Sequence, residues 1–140
     1  MKLSKHFSFE ELTTTSKANL LKKNKEKAQE NITSILSLAF FAEQIREFIE
    51  VPMVVTSGYR CAELNKAIGG VSGSQHVFFQ ALDFIPKGIT IDECFDKIRN
   101  SKLVYGQLIK EQSGKSVWIH VGMGDKRENL IYKDGKYKSV

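Results

Sequence analysis

Apolar residues recur at helical spacing between Asn31 and Glu50, where Ile32, Ile35, Leu36, Ala39, Phe40, Ala42, Ile45, Phe48 and Ile49 predict one long core helix. Pro52 ends that pattern. The period then shortens: the β-branched run Met53 to Thr56 predicts a strand, and Ser57-Gly58 marks a turn. Cys61 to Ala67 reads as a short helix closed by Gly69-Gly70, and the loop Val71 to Gln75 leads into a strand over Ala81 to Ile85, ended by Pro86. Thr90 and Glu93 form a capping box ahead of Ile91, Cys94, Phe95 and Ile98, so a second helix runs to about Asn100. Strands over Leu103 to Glu111 and Ser116 to Val121 flank Ser113-Gly114, and Leu130 to Tyr132 and Tyr137 to Val140 flank Asp134-Gly135. At the N-terminus Phe7 and Phe9 alternate with Ser8, which suggests an arm folded over the body. Helices come first and a mostly antiparallel sheet later, so the fold class is α+β.

Composition narrows the possibilities. A chain of 140 residues, 41% hydrophobic, suits one domain spanning 1–140 with one core, and a monomer is expected. The formal net charge of +5 favours anionic partners such as wall polymers. The lysines of Lys22 to Lys27 and Lys133 to Lys138 lack interleaved base-stacking aromatics, so they read as solvated faces and nucleic acid is not expected as a partner. Cys61 and Cys94 lie in no metal spacing and predict buried thiols. There is no apolar leader and no run of ~18 apolar residues that would span a membrane. The expected product is a soluble protein made in the cytoplasm without a signal peptide, reaching a cell wall only if released by lysis.

Chemistry concentrates in two segments, SQHVFFQALDF and VWIHVG, which carry His76, Asp83 and His120. Two imidazoles and a carboxylate suit zinc, one ion per chain, and leave a fourth position open for water. His76 and Asp83 are seven positions apart, a spacing for a loop residue and a strand residue facing one cleft. With Ser113-Gly114 as the centre of a two-residue turn, Glu111 pairs with Ser116, Ile109 with Trp118 and Gln107 with His120. Alternation then places Gln107, Glu111, Trp118 and His120 on one face.

The segments TSGYRCAELNKAIGG, SQHVFFQALDF, QLIKE and VWIHVG, with the N-terminal FSFEEL, resemble the zinc D-alanyl-D-alanine carboxypeptidases and related peptidoglycan endopeptidases of peptidase family M15, among them small phage lysins. The resemblance runs from about Phe7 to Gly122. It implies a hedgehog or D-Ala-D-Ala-peptidase-like arrangement, with zinc on His76 and Asp83, matching S-x-H-x-x-G-x-A-x-D, and on His120, matching W-x-H. It also implies that Arg60 of SGYR binds a substrate carboxylate or polarises the scissile carbonyl, and that Ser74 lies at the substrate site. The family's general base is a glutamate on the final hairpin, for which Glu111 is the candidate here; Gln107 and Trp118 are candidate cleft residues. The substrate class implied is peptidoglycan or its stem peptides.

Two positions depart from that pattern. Phe79 stands where the motif has glycine, and Val117 stands where some members carry glutamate. If the glycine position needs positive φ, a phenylalanine there costs about 1 kcal/mol or more. The inert assignments are an Arg60 ion pair with Glu63 or Asp83, a core role for Trp118 and a solvated Glu111. Phe79 and the unsettled identity of the base leave a second class of function in view, a catalytically inactive zinc-binding module that holds wall material or a protein partner.

Overall fold

The computed structural model describes residues 1–140. Its elements are α1 (Phe9–Leu12), α2 (Ala18–Gln29), α3 (Ile32–Ile49), β1 (Met53–Ser57), α4 (Ala62–Ala67), a 3-10 turn (Gln75–Phe78), β2 (Ala81–Pro86), α5 (Ile91–Arg99), β3 (Gln107–Ser113), β4 (Ser116–Gly122), β5 (Glu128–Lys133) and β6 (Lys136–Ser139). The strands form one sheet in the order β1-β2-β4-β3-β5-β6, antiparallel except for the β3–β5 pair. The fold is α+β, as the element order predicts.

The core is one cluster of 25 buried apolar residues, drawn from the N-terminal arm, α3, α5 and the sheet. Phe7, Phe9 and Leu12 are buried, so the arm does close over the body, with Ser8 and Glu11 forming a capping box at α1. Its seat is Gly58. A Cβ there would lie 2.5 Å from the Leu12 carbonyl oxygen, and the Tyr59 amide donates to that same oxygen at 2.8 Å. Only a residue without a side chain permits so close a backbone approach.

Helix α3 corrects the expected inward face. Leu36, Phe40 and Phe48 are exposed, whereas Leu38 and Phe41 are buried beside Ile35, Ala39, Ala42, Ile45 and Ile49. The helix is apolar on most sides, so periodicity finds it without choosing which face meets the sheet. The charged segment Lys22 to Lys27 is helical, and its hub is the buried Asn24 of α2. That side chain donates to the Thr13 and Tyr59 carbonyls at 3.0 Å each and accepts from the Cys61 amide at 2.7 Å. Cys61 and Cys94 are free and buried, and burial pushes the Cys94 thiol up to about 12.

The β3–β4 register also differs from expectation, by two residues. Ser113 pairs with Ser116, Glu111 with Trp118 and Ile109 with His120, so the turn residues are Gly114 and Lys115. Gly114 has φ +58 and supplies the left-handed backbone that a hairpin turn needs at its first central position; Ser113 would accept that conformation poorly. A shift of two preserves the side-chain face, so Gln107, Glu111, Trp118 and His120 still share one side. At the second hairpin Asp134 and Gly135 both have positive φ, as a type I′ turn requires.

Strand β3 begins at Gln107, not at Leu103. The segment between β4 and β5 arches over Gly106, where a Cβ would lie 2.4 Å from the Met123 carbonyl oxygen. Beyond the arch, Arg127 sends Nη2 to the Arg99 and Ser101 carbonyls at 3.0 Å each, and its guanidinium covers the Tyr105 ring. The C-terminal hairpin is thereby tied to the core.

Candidate metal centre

Three elements deliver the three candidate ligands. Asp83 of β2 and His120 of β4 are direct cross-strand partners, so sheet register alone sets their side chains together. His76 comes from the 3-10 turn that precedes β2, where the Ser74 hydroxyl caps its amide at 3.3 Å. One nitrogen from each imidazole and one Asp83 oxygen all lie within 4.8 Å of one another, and all three residues are buried. Metal–ligand bonds of about 2.0–2.1 Å in a tetrahedral set put neighbouring donors roughly 3.3 Å apart, so these atoms converge closely enough to share one ion.

Hydrogen bonds orient the donors. His76 Nδ1 lies 2.7 Å from the Gly58 carbonyl oxygen, which only accepts, so the ring proton sits on Nδ1 and the Nε2 lone pair is left facing Asp83 Oδ1 at 3.3 Å. His120 Nδ1 lies 2.8 Å from the same oxygen. Asp83 Oδ2 meets Arg60 Nη2 at 3.4 Å. Burial opposes ionisation of Asp83, but its hydrogen bonds with His120 and His76 outweigh it and hold the carboxyl below the usual range. A ligand carboxylate is thus kept ionised.

Arg60 answers the choice between pairing and substrate binding in part. Its Nε donates to the Ser57 hydroxyl at 2.9 Å, Nη1 to Asn65 Oδ1 at 3.2 Å and Nη2 to Asp83. Glu63 pairs instead with Lys23. Three of the five guanidinium donors are engaged, which leaves two for a ligand. Burial lowers the Arg60 pKa, while the charges of Asp83 and Glu111 act the other way.

His76, Asp83, His120 and Arg60 line one cavity of about 640 Å³, which also takes in Glu111, Trp118, Gln107 and Ser74. Burial, then the charge of Asp83, push the Glu111 carboxyl above its ordinary value. Trp118 lines the cleft beside its cross-strand partner Glu111: its Nε1 is buried with no acceptor at full hydrogen-bond geometry, yet it lies near enough to the Glu111 carboxylate to favour the ionised form. Gln107 is engaged with Glu128, its Nε2 donating at 2.9 Å.

Phe79 takes the conformation that the motif glycine implies, φ 60 and ψ 30. Its ring leaves the cleft and stacks on Tyr59, with centroids 3.9 Å apart and planes within 6°. The Phe substitution is therefore accommodated beside the metal loop, and the donor set stays convergent. Residues with no sequence forewarning complete the cavity: Ile68, Val71 and Gln75 on the loop after α4, and Tyr132 and Tyr137 on the last hairpin. Alternation around Asp134-Gly135 is the one signal that could have found the two tyrosines.

The three donors could hold a metal ion. A Peptidase M15 family model matches residues 5–122, and the chain belongs to that family. No curated protein matches the chain. No helix is long and apolar enough to cross a membrane.

Proposed function

We propose that this chain is a zinc peptidase that cleaves peptide bonds in peptidoglycan stem peptides, with zinc held by His76 Nε2, Asp83 Oδ1 and His120 Nδ1. The observation that carries this reading is the meeting of those three donors with Glu111, Arg60 and Trp118 in one cleft. Bound zinc would supply Lewis acidity and acidify a water molecule near neutral pH. Glu111 is the general base: its carboxylate takes a proton from the attacking water and returns it to the leaving nitrogen. The raised pKa of that carboxyl suits both halves of the transfer. Arg60 positions Asp83 and offers its two remaining N–H groups to a substrate carbonyl or carboxylate. Trp118 Nε1, beside Glu111, favours the ionised form of the base.

The cleft runs from Ile68 and Val71 beyond the metal donors to Tyr137 on the far edge of the sheet. The lining draws on the loop after α4 and on strands β2 to β6, which suits an extended peptide substrate. Phe79 spares the donors, so the inactive-module alternative rests on the identity of the base alone.

The test combines metal analysis with wall digestion. Purified protein should carry about one zinc per chain and release new amino groups from peptidoglycan, with mass spectrometry of the products identifying the bond. His76→Ala should remove both properties. Zinc-loaded protein that releases nothing from walls of several chemotypes would return the chain to the inactive module, and absence of zinc would sink the assignment of the centre.

A further inference from the structure

The segment after Gly122 lies outside the family match, yet it builds part of the cleft. Register explains how. Trp118 of β4 pairs with Glu111 of β3, Glu111 with Tyr132 of β5, and Tyr132 with Tyr137 of β6. Cross-strand partners share a face, so these four side chains form a row across the sheet that begins next to the metal donors. At its outer end the two phenol rings sit 4.7 Å apart and inclined by 56°, with Tyr137 62% exposed. The hairpin that carries them is held in place by Arg127 and by the Tyr105 hydroxyl, which donates to Asn129 at 2.6 Å.

We infer that Tyr132 and Tyr137 form a saccharide subsite, which binds a pyranose ring of the glycan strand while a stem peptide occupies the metal cleft. This rests on the peptidoglycan reading above. The exposed Tyr137 ring, with half-buried Tyr132 tilted against it, suits the C–H face of a sugar, and the phenol hydroxyls with Ser113 at the same rim supply partners for its hydroxyl and acetamido groups. Lys133, Lys136 and Lys138 alternate with the pair along the same hairpin and so face the other side of the sheet, which leaves the two rings without a lysine on their own face. A polar, uncharged ring fits both features. Tyr137 also sees the catalytic row directly: desolvation and the charge of Glu111 both push its phenol up.

The test uses Trp118, the one tryptophan in the chain, as an internal reporter at the start of the row. Zinc-loaded protein titrated with an N-acetylglucosamine tetrasaccharide should give a saturable fluorescence change. Tyr137→Ala should weaken that binding about tenfold and Tyr137→Phe by less, with circular dichroism confirming the fold of each variant. The same Ala substitution should lower the ratio of kcat/KM for glycan-linked over glycan-free stem peptide by about tenfold. Equal saccharide affinity in wild type and Tyr137→Ala, or no saturable binding, would overturn the inference. So would tyrosine-dependent binding of the free stem peptide with none of the saccharide. Tyr137-dependent saccharide binding by a protein that cleaves no wall peptide would support the subsite while removing the peptidase reading of the cleft.

Discussion

Replacing Phe79 should invert the usual ranking of alanine and glycine. The ring is 92% buried by its stack on Tyr59 and the surrounding core, since only 8% of the residue is exposed. Its removal should cost about 3–5 kcal/mol in either variant. The backbone separates the two. At φ 60 and ψ 30 a side chain with a Cβ carries a penalty of about 1–2 kcal/mol that glycine escapes. Greater freedom of glycine in the unfolded chain takes back about 0.4–1 kcal/mol. Phe79→Gly should therefore be more stable than Phe79→Ala by roughly 0.5–1 kcal/mol, although both fall below wild type. Urea unfolding followed by Trp118 fluorescence measures this, and the melting temperatures should differ by about 2–3 °C for a chain of this length. Alanine equal to or better than glycine would show that the left-handed conformation is not strained here. Zinc affinity should follow the same order, because Phe79 lies between two of the ligands.

Other outcomes follow from the site. Glu111→Gln should retain about one zinc per chain and lose turnover by roughly 10²-fold or more; full activity would place the base elsewhere. In wild type, kcat/KM should fall as pH drops through a value above the ordinary 4.5 of a glutamate, since the base works only when ionised; an acidic limb at or below 4.5 would contradict the buried carboxyl. The same shift predicts a stability effect in metal-free protein. A raised carboxyl pKa contributes stability that is full below the unfolded value and lost as pH rises through the folded one. Metal-free Glu111→Gln should then be more stable than wild type at pH 7, with the gain fading towards pH 4, as thermal melts across that range would show. Chelation of zinc should lower the melting temperature of wild type and leave that of His76→Ala unchanged.

Sequence carried the metal trio because the ligands are set by local facts: a strand, a turn before it and a second strand with the right parity. The β3–β4 turn was misplaced by one residue and the register therefore by two, yet the face survived because side chains alternate with period two. Choice of face on α3 was not legible, since Leu36 and Phe40 look as apolar as Leu38 and Phe41 and only the packed layers decide between them. Helix α2 was hidden by its lysines; its anchor, Asn24, is a polar residue whose burial depends on carbonyls contributed by Thr13 and Tyr59. Of the tyrosine end of the cleft only the hairpin at Asp134-Gly135 was legible, not its place beside β3. It depends on a parallel pairing of β3 with β5, a long-range contact with no local signature.

That parallel pairing also decides how the sheet ends. Without β5 and β6, the outer backbone groups of β3 would lie open along Gln107 to Gln112, beside the apolar Leu108 and Ile109, and would invite a strand from another molecule. As built, the border is β6, four exposed residues that include Lys136 and Lys138, too short and too charged to template further pairing. The arch over Gly106 thus carries the chain to a hairpin that keeps one protein molecule from annealing to the next.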